Sequence, residues 1–400
     1  MPWSETSPMD QRLQFIADVQ RDEDFSNVCR RYGISRKTGY KWCERYATHG
    51  VAGLVDASRR PHTSPNASDP ASVAALLELR RRHPHWGGKK LVTVLARRDP
   101  TWAAVAPSTA AALLKRHGLI ATPRRRRPLG HPGRPTPLLS EPNGTWTTDF
   151  KGQFRTQDGR LCYPLTIADG ATRYVLAVRA LHSVRTTETR PMFVRTFREY
   201  GLPQRIRSDN GVPFATTALG RLSPLSVWWI RLGILPELIE PGHPEQNGRH
   251  ERMHRTLKRE TLRPPAATLR AQQRAFDRFQ EEFNTERPHE ALQQATPAAC
   301  YTASPRAYPA RVPPLEYPAQ CEVRRVSVNG GIRWHNHWVN VSHVLGGEYI
   351  AFDEVDDGLW TVHFGGLLLG RFHERLLRIE DAHGDLARTR RRSAPVLPTP

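Results

Sequence analysis

Two aspartates that follow strand-like segments are the residues of this chain best suited to chemistry. Asp149 ends the aromatic segment WTTD, and Asp209 directly follows the segment RIRS and precedes an Asn-Gly turn. Acids at strand ends commonly face the cleft in which α/β folds hold their reactants. A third acid is expected from the helix after PGHPEQNGR, and residues 241–260 offer Glu245, Glu251 and Glu260. Each acid taken alone also has an ordinary role, because Asp before Asn-Gly is a common turn former.

The charge of the chain indicates what these acids would act on. Of its 400 residues, 59 are Lys or Arg and 39 are Asp or Glu, so the net charge is +20. This surplus favours a nucleic acid partner, with a basic ribosomal-type or membrane-surface protein as the alternative. A phosphodiester is anionic and repels nucleophiles, and two Mg²⁺ ions about 4 Å apart can activate the attacking oxygen and stabilise the leaving one. Because Mg²⁺ prefers carboxylate and water oxygens, three acids in one cleft indicate a metal-dependent nuclease or strand-transfer enzyme.

Cysteines, histidines and hydropathy argue against several other classes of protein. The five cysteines form no close pair, so no zinc or disulfide framework is visible and a reducing compartment fits. His243, His250 and His254 lack a cysteine or a fourth partner for zinc. The first residues contain no apolar signal core, and the most apolar run, LSVWWIRLGIL, is short and contains Arg231. We therefore expect no membrane segment and a cytoplasmic, nucleoid-associated protein.

The first third of the chain is its most basic part, since residues 1–137 hold 24 Lys and Arg against 11 Asp and Glu. Residues 1–65 are predicted to form a helix-turn-helix module, because two short helices flank Gly33 and Ser35 is placed to cap the second one. The residues early in that second helix are expected to contact DNA: Arg36, Lys37, Tyr40 and Lys41. A plain three-helix bundle with solvated lysines is the alternative.

Two further basic segments follow. Residues 66–120 are predicted to form a second helical DNA-binding module, because leucines recur there at helical spacing. Residues 121–140 are rich in Pro and Arg and are predicted to be a linker. Four consecutive arginines of this linker are expected to follow DNA phosphates: Arg124, Arg125, Arg126 and Arg127.

The remaining chain changes from helical to mixed patterns. Residues 141–300 are predicted to form an α/β domain, because several strand-like segments surround the helical segment RPMFVRTFREYGLP. Residues 301–319 read as a second Pro-rich linker. Residues 320–384 combine short strands with Gly-rich turns, which is typical of a small β-barrel or sandwich, and we expect the barrel. Residues 385–400 form a basic tail that is expected to be disordered.

Four segments of the α/β region together resemble a known family. WTTDFKG, RSDNGVPF, HPEQNGRHERMHRTLK and FNTERPHEAL occur in this order and are similar to the integrase core of the DDE transposases, enzymes of bacterial insertion sequences related to retroviral integrases. The resemblance covers roughly residues 145–300 and implies a ribonuclease-H-like fold. It also implies a site with two Mg²⁺ ions, or Mn²⁺ in their place. The implied reaction cleaves double-stranded DNA at element ends and joins the freed 3′ ends to target DNA. Because two ends must be held together, a homo-oligomer is expected.

The spacing of the acids leaves a choice for the third one. The sequence places 59 residues between Asp149 and Asp209, then 35 before Glu245 or 41 before Glu251. The family commonly leaves about 35 residues there, which favours Glu245. However, the family's acid follows a Pro-x-x-x-Gly loop after two further residues and has a lysine later on its helix, which favours Glu251. We predict that Asp149, Asp209 and Glu251 are catalytic and bind the metal, with a short insertion before the loop.

Helical periodicity assigns roles to the neighbours of the third acid. Glu251, Arg255 and Lys258 share one helix face, so the two basic residues are expected to contact DNA. Glu245 is expected in a loop or a first helical turn, where its charge is favourable, and Glu260 is expected to be a solvated charge. The adjacent face is predicted to point into the core: His250, Met253 and Leu257.

Two other functions share these features. A non-enzymatic DNA-binding regulator would keep the basic modules, but it would not need three acids. A plain metal-dependent nuclease would keep the acids without joining DNA. Asp169 is expected in a hairpin turn rather than at the metal site. The residues that match the closing motif of the family are expected to brace the core: Asn284, Arg287, Pro288 and His289.

Overall fold

The computed structural model of the chain describes residues 7–21, 24–56, 58, 68–120, 141–240 and 244–382. The chain divides into two compact units, Met1–Ser72 and Val73–Pro400. Every helix of the described ranges is too short or too polar to span a bilayer. Some residues singled out in the sequence lie outside these ranges: Arg124, Arg125, Arg126, Arg127, His243 and the tail 385–400.

The first unit contains three helices: α1 (Pro8–Gln20), α2 (Phe25–Arg31) and α3 (Arg36–His49). The Ser35 side chain accepts a hydrogen bond of 3.2 Å from the backbone N–H of Thr38, which confirms the predicted cap of α3. Gly33 has a φ of +64° in the turn between α2 and α3. Gly39 lets these helices approach closely, because a Cβ there would lie 2.7 Å from the Sγ of Cys29. The helix-turn-helix pattern of the sequence is therefore present in the fold.

A second helical region follows within the larger unit: α4 (Pro70–Arg82), α5 (Gly88–Arg98) and α6 (Pro107–Arg116). Its core consists of leucines and valines around two buried tryptophans, Trp86 and Trp102. His83 Nδ1 lies 2.8 Å from a carboxylate oxygen of Glu282, and the Nζ of Lys89 lies 2.6 Å from one of Glu290. These contacts join the helical region to the α/β core, so the two form one unit.

The α/β core has six strands: β1 (Thr145–Phe150), β2 (Phe154–Arg155), β3 (Leu161–Asp169), β4 (Val175–Leu181), β5 (Arg205–Ser208) and β6 (Leu235–Leu238). The order is β2-β3-β1-β5-β6, and β4 pairs with β3. Strands β1, β3 and β4 are antiparallel neighbours, whereas β5 is parallel to β1 and β6 is parallel to β5. This arrangement brings the carboxyl ends of β1 and β5 to the same edge of the sheet.

Five helices accompany this sheet: α7 (Thr186–Tyr200), α8 (Pro224–Arg231), α9 (Gly248–Thr261), α10 (Leu269–Thr285) and α11 (Pro297–Cys300). Aromatic residues of α7 and α8 pack on one face of the sheet around Trp146. Residues of α9 and α10 pack on the other face around Cys162, Val175 and Val178. The sheet is covered by helices on both faces, as expected of a ribonuclease-H-like core.

The Pro-rich segment 301–319 runs along the core. The backbone N–H of Leu202 donates a hydrogen bond of 2.7 Å to the carbonyl of Arg306, and Ser304 N–H donates one of 2.8 Å to the carbonyl of Tyr200. The Tyr301 ring stacks on Tyr174 with centroids 4.4 Å apart. These contacts fix the path of the chain from the core to the C-terminal strands.

Seven strands form the C-terminal region: β7 (Glu322–Arg325), β8 (Gly331–Trp334), β9 (His337–Asn340), β10 (Tyr349–Asp356), β11 (Leu359–Phe364), β12 (Leu367–His373) and β13 (Arg378–Asp381). They make an antiparallel sheet of order β13-β12-β11-β10-β7 and a separate hairpin β8-β9. The expected closed barrel is thus not seen among the described residues. The hairpin packs beside both edge strands, and Trp334 packs against Phe352 and Phe372, so the two sheets share a core without a continuous ladder.

Candidate active site

The two predicted aspartates lie at the ends of neighbouring parallel strands. Asp149 is the second-last residue of β1, and Asp209 is the first residue after β5. Thr147 of β1 pairs with Arg207 of β5, so each aspartate comes two residues after this pair. The N–H of Gly211 donates a hydrogen bond of 3.3 Å to the Asp209 carboxylate, which fixes the turn. The parallel pairing therefore brings the two carboxylates to one edge.

Burial raises the pKa of both aspartates, and the charge of Asp209 adds to this effect at Asp149. The pKa of Asp149 is raised from 3.8 to about 7, first by burial and then by the negative charge of Asp209. Burial also raises the pKa of Asp209. The side chain of Asp149 is only 20% exposed. Two carboxylates held together in this way favour a proton or a metal cation between them.

The third predicted acid, Glu251, lies in the first turn of α9 with an exposed side chain. Its charge is among the causes that raise the pKa of Asp149, so it acts in the same region as the aspartate pair. Glu245 belongs to the short turn Pro244–Asn247 before α9, and its side chain lies outside the described part of the structure. The choice of Glu251 over Glu245 stays a prediction.

The donor set of these acids suits a hard cation. Carboxylate oxygens are the ligands that Mg²⁺ takes in proteins, and a cation would offset the repulsion that raises the pKa of Asp149. In the parts of the chain that the structure covers, no three His, Cys, Asp or Glu side chains are already gathered as a metal site.

Two histidines attach α9 to the strand that carries Asp149. His250 and His254 are buried, and their Nε2 atoms lie 2.6 and 2.7 Å from the hydroxyl of Thr166 on β3. The same hydroxyl lies 2.9 Å from the carbonyl oxygen of Asp149, and the Thr147 hydroxyl lies 2.9 Å from His250 Nδ1. The network positions the helix of Glu251 on the strand of Asp149.

Counting protons in this network favours one form of both imidazoles. The Thr166 hydroxyl has one hydrogen and three neighbours, and the Asp149 carbonyl can only accept. If all three hydrogen bonds form, Thr166 donates to that carbonyl and both histidines donate through Nε2. Burial lowers the pKa of His250 to about 3, and burial followed by His250 and Lys151 lowers that of His254. With this assignment both are neutral, and the Nδ1 of His254, which lies 3.6 Å from Asp149 Oδ2, carries a lone pair.

The sequence patterns do not predict this network, because they suggest the histidines only as zinc ligands or as core residues. The signal was the His-x-x-x-His spacing on the same helix face as Met253 and Leu257. The prediction that His250, Met253 and Leu257 face the core is confirmed, because all three are buried. The spacing alone does not identify Thr166 as the partner, since that residue is distant in sequence.

One charge near the site was predicted wrongly. Glu260 was expected to be solvated, but it is largely buried and accepts a hydrogen bond of 2.9 Å from Arg287. The reason is that the chain after α10 returns past the end of α9. Asn284 holds β4 as expected, since its side chain accepts from the N–H of Val175 and donates to the carbonyl of the same residue. Asp169 accepts from Thr172 in the β3–β4 turn, as also expected.

The residues predicted to contact DNA lie on exposed helix faces. Arg36, Lys37, Tyr40 and Lys41 are all exposed on the first half of α3. The Tyr40 ring stacks on Phe25 with centroids 4.3 Å apart while 55% of the residue remains exposed. In the other unit, two basic residues are exposed on α9 one and two turns after Glu251: Arg255 and Lys258.

Known families match the same parts of the chain. The family described as integrase core domain matches residues 140–244, and a second family of the same description matches residues 232–297. The helix-turn-helix domain family matches residues 11–62, and a homeodomain-like domain family matches residues 38–114. The acids Asp149, Asp209 and Glu251 all fall within the two integrase core matches.

Two similar proteins come from insertion elements. The insertion element IS476 uncharacterized 39.2 kDa protein of Xanthomonas euvesicatoria is 28% identical over 253 residues, which cover 62% of this chain and 69% of that protein. The insertion element IS407 uncharacterized 31.7 kDa protein of Burkholderia multivorans is 26% identical over 251 residues, which cover 62% of this chain and 87% of that protein.

Solved structures give weaker matches. The HTLV-2 integrase catalytic core domain in complex with magnesium shares 17% identity and a TM-score of 0.32, covering 41% of this chain and 99% of that chain. An intasome of simian T-cell lymphotropic virus shares 18% identity and a TM-score of 0.35, covering 73% of this chain and 97% of that chain. The similarity to known proteins therefore rests on the sequence matches. By those matches the chain carries helix-turn-helix domains before an integrase core and resembles proteins of bacterial insertion elements.

Proposed function

We propose that this protein binds the ends of a mobile DNA element, cleaves them and joins the freed 3′ ends to target DNA. The observation that carries the proposal is the aspartate pair at the ends of β1 and β5, where Asp209 helps to raise the pKa of Asp149 to about 7. Two carboxylates that repel each other favour a bound metal cation, and in a basic protein that cation could act on a DNA phosphate.

Asp149, Asp209 and Glu251 would hold divalent metal, which we propose to be two Mg²⁺ ions that Mn²⁺ can replace. Bound there, the metal would lower the barrier to phosphodiester chemistry by stabilising charge on the attacking and leaving oxygens. The fit rests on the hard oxygen donors of the three side chains and on the repulsion between them.

The chain's own residues would orient these groups. The neutral His250 and His254 hold α9 against β1 and β3 without adding positive charge beside Asp149. Arg255 and Lys258 are exposed on the face of Glu251 and would hold DNA phosphates near the acids. Arg207 pairs with Glu237 at 2.7 Å and donates a hydrogen bond of 3.4 Å to the carbonyl of Gln246, which anchors the loop before α9.

The flanking regions would bind DNA and assemble the complex. The exposed residues Arg36, Lys37, Tyr40 and Lys41 suit a recognition helix that reads element ends. Arg124, Arg125, Arg126 and Arg127 would follow the DNA backbone from the linker. The two C-terminal sheets share one core, and we propose that they work as a small barrel-like module in DNA binding or assembly. Two element ends must be held together during the reaction, so we propose a homo-oligomer.

The direct test uses the protein with duplexes from its own flanking DNA and Mg²⁺. We expect cuts at the element ends followed by joined products. Cuts without joining would favour the plain metal-dependent nuclease. Binding of the ends without any cut under the same conditions would favour the non-enzymatic regulator.

A further inference from the structure

A basic cavity lies beside α9, where the second helical region meets the α/β core. Its volume is about 280 Å³. Six cationic side chains from four separate parts of the chain line it, and we call it the arginine pocket: Lys90, Arg173, Arg249, Arg252, Arg255 and Arg287. These cations form a concave site rather than the solvated face of one helix, because they come from α5, the β3–β4 turn, α9 and the segment after α10.

The cations of the arginine pocket repel one another. Burial followed by the charges of Arg249 and Arg252 lowers the pKa of Arg173. Burial followed by the charges of Arg287 and Arg173 lowers the pKa of Lys90 to about 8, although Glu260 and Glu290 act in the opposite direction. Bringing like charges together opposes folding, and an anion between them would remove that cost.

Acidic neighbours offset only part of the positive charge in the arginine pocket. Asp169 lines it, but its carboxylate accepts hydrogen bonds from Asn143 N–H and from the N–H and hydroxyl of Thr172. Glu260 accepts a hydrogen bond from Arg287. Among the described residues, the charged groups of Lys90 and Arg173 have no hydrogen-bond or ion-pair partner.

The same wall contains a buried atom without a partner. His289 lines the arginine pocket and is 7% exposed, and its Nε2 makes no hydrogen bond in the described structure. Its pKa is lowered to about 3 by burial and by Lys90, Arg287 and Arg173. The imidazole also donates a hydrogen bond to the backbone of Phe283, which uses its single proton, so Nε2 can accept from a water that accompanies a bound anion but cannot donate to the anion itself.

We propose that the arginine pocket binds a phosphate group of the DNA backbone. Guanidinium groups match phosphate oxygens with paired N–H donors, and the cavity is smaller than the clefts of about 300–1,000 Å³ that hold whole small ligands. Arg255 lines the pocket and lies one turn after Glu251 on α9. None of the three acids lines the pocket, so a DNA strand bound here would reach them along the exposed side of α9 that Arg255 shares with Glu251, and this inference therefore rests on the proposed function.

The test compares full-length Arg173→Gln and Arg252→Gln with the wild type and with Arg278→Gln. Arg278 is exposed on α10 and does not line the arginine pocket. The affinity for an element-end duplex is measured over a range of salt concentrations. The slope of log affinity against log salt should become less steep by about 0.9 for each pocket variant and stay unchanged for Arg278→Gln. Unchanged slopes in both pocket variants would overturn the proposal.

Inorganic pyrophosphate distinguishes a free anion from DNA as the source of the phosphate. Without divalent metal, it should raise the Tm of the wild type and have a much smaller effect on Arg173→Gln. If pyrophosphate no longer raises the Tm of Arg173→Gln but the salt slope for DNA binding is unchanged, the arginine pocket binds a free anion. That result would contradict the proposal. At low salt neither pocket variant should melt below the wild type, because each removes a repelling charge. A lower Tm of Arg173→Gln would contradict this repulsion, and the DNA test would then use Arg252→Gln, which replaces an exposed residue.

The two proposals can fail separately. If the wild type joins element ends but the pocket variants keep the wild-type salt slope, only the arginine pocket assignment is wrong. If the pocket variants lose slope while the wild type neither cuts nor joins DNA, the pocket binds DNA and the transposase proposal is wrong.

Discussion

At the scale of single residues, the Asp149 carboxylate that is proposed to bind metal also lowers the stability of the folded chain at high pH. Its pKa of about 7 in the folded chain lies above the ordinary 3.8, so the folded state binds the proton more tightly than the unfolded state. Stability is therefore lost as the pH rises from about 4 to about 7. Below the ordinary pKa this penalty is absent, and above the folded pKa it is complete.

Asp149→Asn should consequently give an inactive protein that is more stable at high pH. With a chelator present, we expect its Tm to exceed that of the wild type at pH 8 and the difference to shrink at pH 5. The same variant should bind element ends almost normally but neither cut nor join them, because an amide is a poor metal ligand. Melting curves and cleavage assays check both parts. A lower Tm at pH 8, or wild-type cleavage with Mg²⁺, would count against the assignment.

The two glutamates before and in α9 form a second test at this scale. Glu251→Gln should stop cleavage, because the metal loses a charged oxygen ligand. Glu245→Gln should keep substantial activity, since an exposed charge near a helix N-terminus contributes about 0.3–1 kcal/mol. Cleavage rates of both variants with the same duplex decide between them. If only Glu245→Gln loses activity, Glu245 is the third acid, as the usual spacing of about 35 residues after Asp209 favours.

At the scale of elements, the docking of α9 depends on a hydroxyl that the helix does not contain. Thr166→Val removes the group that contacts His250, His254 and the Asp149 carbonyl. We expect it to lower the free energy of unfolding by about 1–3 kcal/mol, because buried polar groups lose their partner. Thr285→Val is the matched control, since that hydroxyl bonds only to the carbonyl of Glu281 on its own exposed helix face. Urea denaturation measures both, and equal effects would contradict this account of the network.

The sequence predicted elements best where the signals were local. Ser35 caps α3 as expected, because a serine before a helix can satisfy the first N–H groups within its own turn. The position of the two aspartates at strand ends was predictable, because strand ends and turns are visible in the sequence. The partners of His254 and Glu260 were not predictable, because Thr166 and Arg287 come from other elements. The barrel was expected from strand and turn signals, but such signals do not fix which edge strands pair.

At the scale of the whole molecule, the helix-turn-helix unit should supply specificity for element ends. In the full chain, replacing Arg36 and Lys41 with Ala should weaken binding to an element end by about 1–3 kcal/mol. Binding to random DNA should weaken less, if α3 reads bases rather than phosphates alone. Affinities for the two duplexes at one salt concentration provide the test. Equal losses on both would leave α3 as a phosphate contact without a role in reading sequence.

The central claim is that one set of acids performs strand transfer. The most direct measurement supplies element-end duplexes that are already cut, together with target DNA and Mg²⁺, and quantifies joined strands for the wild type and for Glu251→Gln. The account predicts joined products from the wild type and none from the variant. It would be contradicted if the wild type cut intact ends but never joined the cut ones, or if Glu251→Gln joined them as well as the wild type.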